Sequence, residues 1–65
     1  MDKKYAGSWR ANNGSTYSDG YEGNNKRELA KDMRDMCRGN VFAGNTGYWD
    51  VSDKDGNIIM SGMCR

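Results

Sequence analysis

Four basic side chains recur at one spacing. Arg27, Lys31, Arg34 and Arg38 stand at i, i+4, i+7 and i+11, the repeat that stacks side chains along one face of an α-helix. A row of guanidinium and ammonium groups can bind carboxylates or phosphates through charge-assisted hydrogen bonds. Glu28, Asp32 and Asp35 follow i, i+4 and i+7 and form an acidic stripe beside it. The pairs Glu28–Lys31, Lys31–Asp35 and Asp35–Arg38 lie within reach of one another and offset the like-charge repulsion inside each stripe. The pattern has two readings, a solvated helix face or a contact row. As a contact row it joins Arg27, Lys31, Arg34 and Arg38 with Phe42 and Tyr48 as the candidate partner-binding residues.

The other residue types with chemical capacity point to little chemistry. The chain has no His, so the commonest general base and the commonest metal ligand are missing. Cys37 and Cys64 have no His partner and no C-x-x-C spacing, which argues against thiol catalysis and zinc binding. Asp53-Lys54-Asp55-Gly56-Asn57 looks like part of a calcium loop, but the first ligand position would be Val51 and the twelfth Gly62, so it reads as a turn. The glycines of Gly39–Gly47 match neither a dinucleotide fingerprint nor a phosphate loop. No catalytic residue, cofactor or metal is expected, and the chain does not read as an enzyme. Trp9 beside Arg10 and Trp49 beside Tyr48 are candidates for stacking on single-stranded nucleic acid. Against that, a core this small needs its rings, and any ring left outside serves equally well as a protein contact anchor.

The element that positions the charged stripes is a helix over 25–38. Leu29, Ala30, Met33, Met36 and Cys37 make one apolar stripe at a 3.6-residue period. It lies roughly 130° around the helix from the basic row. Asn25 is suited to the N-cap, with Glu28 three positions on completing a capping box. Gly39 is placed to end the helix in a left-handed conformation. Before the helix, residues 4–22 read as a hairpin turning at Asn12-Asn13-Gly14. A two-residue loop sets Trp9 opposite Ser18, with Tyr17 and Tyr21 on the other face. A three-residue loop pairs Trp9 with Tyr17 and Tyr5 with Tyr21, gathering four aromatics on one face, and this register is the one expected. Asp19 and Gly20 mark a bulge or bend. After the loop 39–47, residues 48–63 read as a second hairpin around Asp53–Gly56. Its turn length leaves open whether Ile58 or Ile59 faces the core.

The order ββαββ predicts a small α+β domain, a four-stranded, mostly antiparallel sheet with one amphipathic helix on one face. At 65 residues a single domain is expected, burying about 60% of its unfolded surface. The net charge of +1 gives no whole-molecule attraction to nucleic acid or anionic lipid. Between Lys26 and Arg38 the balance is five basic minus three acidic, +2. No apolar run approaches a membrane span, and Met1-Asp2-Lys3-Lys4-Tyr5 lacks the apolar region of a signal peptide. No membrane contact is therefore expected, and the location expected is the cytoplasm, with Cys37 and Cys64 as reduced structural thiols.

The shape of a hairpin, one charged amphipathic helix and a second hairpin with a W-x-V…D-G-N-I-I pattern (Trp49, Val51, Asp55–Ile59) resembles small accessory proteins of phages and mobile elements. Anti-CRISPR proteins and other host-takeover inhibitors are of this size and build. The resemblance is architectural and compositional. It implies a non-enzymatic inhibitor that binds a host protein or nucleoprotein complex, such as a CRISPR effector, and occludes a site on it, in the host cytoplasm. Mimicry of nucleic acid wants a strongly acidic surface, and this chain is near neutral. Two other functions fit the residues: a nucleic-acid-binding module using the basic row, and a homodimerising structural protein that pairs through an edge strand.

Overall fold

In the computed structural model, which describes residues 3–11, 17–41 and 45–64, the chain runs β1 (Tyr5–Ala11), β2 (Tyr17–Gly23), α1 (Lys26–Asn40), β3 (Gly47–Asp53) and β4 (Ile58–Cys64). The four strands form one antiparallel sheet in the order β2-β1-β3-β4. Helix α1 packs on one face of it. This is the small α+β domain in ββαββ order that the residue pattern predicts.

The helix begins as its residues dictate. Asn25 is in extended backbone, and its Oδ1 accepts from the amides of Arg27 at 3.0 Å and Glu28 at 3.1 Å, so two of the unpaired first-turn donors are satisfied. The neighbouring Asn24 accepts from the Lys4 amide at 3.1 Å, tying the start of the sheet to the start of the helix. The end differs from expectation. Gly39 lies inside the helix, and the chain leaves through Val41 in extended backbone at φ −94°. Asn40 accounts for the difference: its side-chain amide donates to the Met36 carbonyl at 2.7 Å, satisfying an end carbonyl without a left-handed residue.

Leu29, Ala30, Met33 and Cys37 are buried against Trp9, Ala11, Val51 and Cys64, while Met36, at the margin of the stripe, is half-buried. The helix can sit this close because β1 crosses beneath it at Gly7. A Cβ there would fall 2.7 Å from Met33 Cγ and 2.8 Å from its sulfur, distances that no packed core accommodates.

The first hairpin corrects the expected register. Trp9 lies opposite Ser18 and Arg10 opposite Tyr17, whereas Gly7 lies opposite Tyr21 and Tyr5 opposite Gly23. The register shifts between Gly7 and Trp9, where Asp19 and Gly20 place an extra residue in β2, with Gly20 left-handed at φ +83°. The bulge expected at Asp19-Gly20 is therefore present, and it decides the faces. It lets Tyr21 lean on the helix-facing core beside the bare Gly7 while Tyr17, four residues earlier, points the other way. Three aromatics of this hairpin, Tyr5, Trp9 and Tyr21, share the helix face. The turn at Asn12-Asn13-Gly14 lies outside the described residues.

The second hairpin closes through Asp53. Its carbonyl accepts from Gly56 N at 3.0 Å, and its carboxylate Oδ1 accepts from Asp55 N at 2.9 Å and Asn57 N at 3.0 Å. The Asn57 amide, with help from those of Asp55 and Gly56, holds the Asp53 carboxyl below the usual carboxylate range. The acidic turn thus spends Asp53 on its own backbone. Neither isoleucine enters the core: Ile58 and Ile59 are both exposed around a bulge in β4, and Met60 takes the inward position.

The thiol expectation is also corrected. Cys37 and Cys64 form a disulfide, with Cα atoms 6.1 Å apart, inside the span a disulfide bridges. The apolar stripe turns Cys37 down at the end of the helix. Strand alternation turns Cys64 up to meet it, at a separation of 27 residues that no local spacing rule reaches.

Candidate interaction surface

Helix α1 covers one face of the sheet, and among the described residues no element packs on the other, the open face. On the open face the pairing brings side chains into cross-strand rows. Tyr17, Arg10, Tyr48 and Met63 form one row across β2, β1, β3 and β4. Ser8, Asp50 and Ser61 form the next, and Glu22, Ala6, Ser52 and Ile58 the third. Tyr17 is 60% exposed, Tyr48 45%, Ile58 64% and Met63 67%. Apolar area of this kind gathered on one side of so small a molecule marks an interaction surface more often than chance exposure.

Side chains on this face contact one another across the strands. The Arg10 guanidinium lies over the Tyr17 ring, 5.5 Å from its centroid, within cation–π range. Ser8 Oγ donates to Asp50 Oδ1 at 2.9 Å, fixing that carboxylate between β1 and β3. Two shallow depressions flank Tyr48. One, of about 260 Å³, is bordered by Arg10, Tyr17, Asp19 and Asp50. The other, of about 370 Å³, is bordered by Ile58, Ser61 and Met63. Around the apolar residues this face carries Arg10 against Asp19, Glu22 and Asp50, one cation minus three carboxylates, or −2.

The basic row of α1 lies on the far side. Arg27, Lys31, Arg34 and Arg38 are all exposed. Among the described residues a single ion pair is formed, Arg34 Nε to Asp35 Oδ1 at 3.9 Å between two half-exposed side chains. The i to i+3 and i to i+4 pairs expected along the helix are not made. Tyr48 shares no surface with this row, because the sheet and the core separate them. Phe42 lies outside the described residues. The candidate residues named from the sequence therefore divide into a cationic helix face and one anchor of the open sheet face.

Of the residues around Tyr48, the sequence points to Arg10 only as a neighbour of Trp9 and leaves Tyr17 as a contact anchor to the hairpin register. Ile58 and Met63 are not singled out by it. Arg10, Ile58 and Met63 reach the face through alternation and pairing across three strands, and Tyr17 through a bulge that reverses its side. The two tryptophans, stacking candidates by sequence, belong to the helix side: Trp9 is buried at 7% exposure and Trp49 is half-buried against the core. Among the described residues no helix is long and apolar enough to cross a membrane. No protein-family model, characterised protein or solved structure matches this chain.

Proposed function

We propose that this chain is a small non-enzymatic binding protein that captures a protein partner on the open face of its sheet. The observation that carries the reading is the row Tyr17–Arg10–Tyr48–Met63, two exposed tyrosines and an arginine set in an apolar strip. Tyr and Arg dominate interface hot spots because they supply large, stiff contact area with a polar handle. The partner it suits has an apolar centre and a basic rim, to meet the −2 balance of the face. In the phage-type form of this reading, the domain is a plug that occludes a site on a host protein or complex such as a CRISPR effector. A backbone held by four paired strands and a packed helix costs little ordering entropy on binding.

A nucleic-acid reading rests on a separate observation, the four exposed basic side chains of α1, of which only Arg34 is ion-paired among the described residues. It places the ligand on the opposite side of the molecule, so two double substitutions separate the readings. Pull-down from bacterial lysate with Tyr17→Ser/Tyr48→Ser and with Arg34→Gln/Arg38→Gln is the experiment. A stoichiometric protein lost with the tyrosine pair and kept with the arginine pair supports the open face. Capture of nucleic acid that is lost with the arginine pair and falls steeply with salt supports the helix row. Recovery of the same protein by both double variants refutes the open-face assignment.

A further inference from the structure

The disulfide lies behind the row Tyr17–Arg10–Tyr48–Met63, on the helix side of the sheet. Cys37 Sγ stands 3.7 Å from the Arg10 carbonyl oxygen and 3.8 Å from that of Tyr48. Cys64 follows Met63 in β4 and pairs with Gly47, the residue before Tyr48 in β3. The bridge rests on Gly47 itself, where a Cβ would fall 2.8 Å from Cys37 Sγ and 3.0 Å from Cys64 Sγ. Arg10 and Tyr48 thus meet the bridge through their carbonyls, and Met63 through the chain. The two ends of the helix are fastened differently. Toward its start, Leu29 and Met33 pack over Gly7 with no cysteine involved. Toward its end, Cys37 holds Cys64, the last residue of β4. There β4 has β3 on one side and, among the described residues, no strand on the other. A strand end with one neighbour opens at low cost.

We infer that the Cys37–Cys64 bridge is a redox latch on the open face. Closed, it holds the Met63 end of β4 against Tyr48. Opened, it lets that end leave β3 while the helix stays docked at its start. Sulfurs that share a bond must part to non-bonded contact once it is reduced. Cys37 is confined between the helix and the carbonyls of Arg10 and Tyr48, so the displacement falls on Cys64 and the edge strand. The reductant is a dithiol, and Cys64 is the sulfur it reaches, because Cys64 keeps slight exposure at the strand end and Cys37 is fully enclosed. One thiolate attacks Cys64 Sγ, the Cys37–Cys64 bond breaks, and Cys37 leaves as a thiolate that takes up a proton. The second thiolate then attacks the mixed disulfide and Cys64 leaves and is protonated in turn. Two electrons have passed to the bridge, and the dithiol ends as a disulfide. The latch stands on these contacts alone. Its consequence, that reduction releases a partner from the open face, rests on the reading of that face as the binding surface.

Residue-resolved amide hydrogen exchange of the full chain, with and without dithiothreitol, tests the latch. Reduction should speed the slowly exchanging amides that link Gly62–Cys64 to Gly47–Trp49 by at least about tenfold more than those of Ala30–Met33. Removing the reductant and adding oxidised glutathione should restore slow exchange at β4. Equal acceleration along the whole chain makes the bridge a global staple and overturns the latch. Unchanged exchange at β4 overturns it too, as does protection that fails to return on reoxidation. No partner enters these measurements, so the latch fails or stands separately from the open-face reading, which the tyrosine variants decide.

Discussion

Opening the Cys37–Cys64 disulfide should remove a large part of this domain's stability. The bridge closes a loop with a separation of 27 residues. The chain entropy it withholds from the unfolded state corresponds to about 3.5 kcal/mol at room temperature. A 65-residue domain has a total stability of roughly 3–10 kcal/mol. Reduction therefore costs from a third of the stability to nearly all of it. Urea denaturation of oxidised and reduced protein, followed by tryptophan fluorescence, measures the difference. With a slope of about 1 kcal/mol/M for a small domain, the midpoint should fall by about 3.5 M, and the thermal midpoint should drop by about 14–28 °C. Both sulfurs are buried, so thiol reagent should count no reactive cysteine in the folded oxidised protein and two after unfolding and reduction. A reduced form whose urea midpoint stays within 0.5 M of the oxidised one would refute the entropic argument. Two reactive thiols before reduction would refute the bridge itself.

The remaining predictions concern the core, the turn and the helix surface. Met33→Ala should cost about 2–5 kcal/mol in chemical denaturation, because Met33 is fully buried where the helix crosses β1. Gly7→Ala should also destabilise, by about 1–3 kcal/mol, since its new methyl group meets Met33 and Leu29. In the double variant Gly7→Ala/Met33→Ala the two costs should sum to less than their separate values, as coupled neighbours do. Asp53 is held below the usual carboxylate range by its turn amides, so the folded state binds fewer protons there than the unfolded state. Its contribution is present above about pH 4 and is lost as pH falls through the folded value. Asp53→Asn keeps an acceptor for the amides but cannot titrate, so its stability should fall less steeply below pH 4 in acid-denaturation curves. Arg34→Gln/Arg38→Gln should leave the thermal midpoint nearly unchanged, each substitution falling within about 0.5 kcal/mol, because both side chains project into solvent away from the apolar stripe.

What the sequence determined by itself is what depends on neighbours within a few residues. The helix, its Asn25 cap, its buried stripe and its outward basic row all follow from periodicity and local hydrogen bonding. So does the bulge at Asp19-Gly20, which needs only a residue able to take positive φ. The order of elements, with two hairpins around one helix, then leaves few ways to cover one face of a small sheet. The features that the tertiary structure decided depend on partners far apart in the chain. A bulge adds one residue to one strand and thereby reverses the face of Tyr17 relative to Tyr21, and period-two alternation carries no information on how two strands are offset. The helix ends at Asn40 rather than at Gly39 because a side-chain amide found the Met36 carbonyl. Arg10, Tyr17, Tyr48 and Met63 come from four strands spread over most of the chain, and only the order β2-β1-β3-β4 sets them in one row. Cys37 and Cys64 meet for the same reason. Each faces the core by its own local period, but their bridging distance exists only once the helix lies across the sheet.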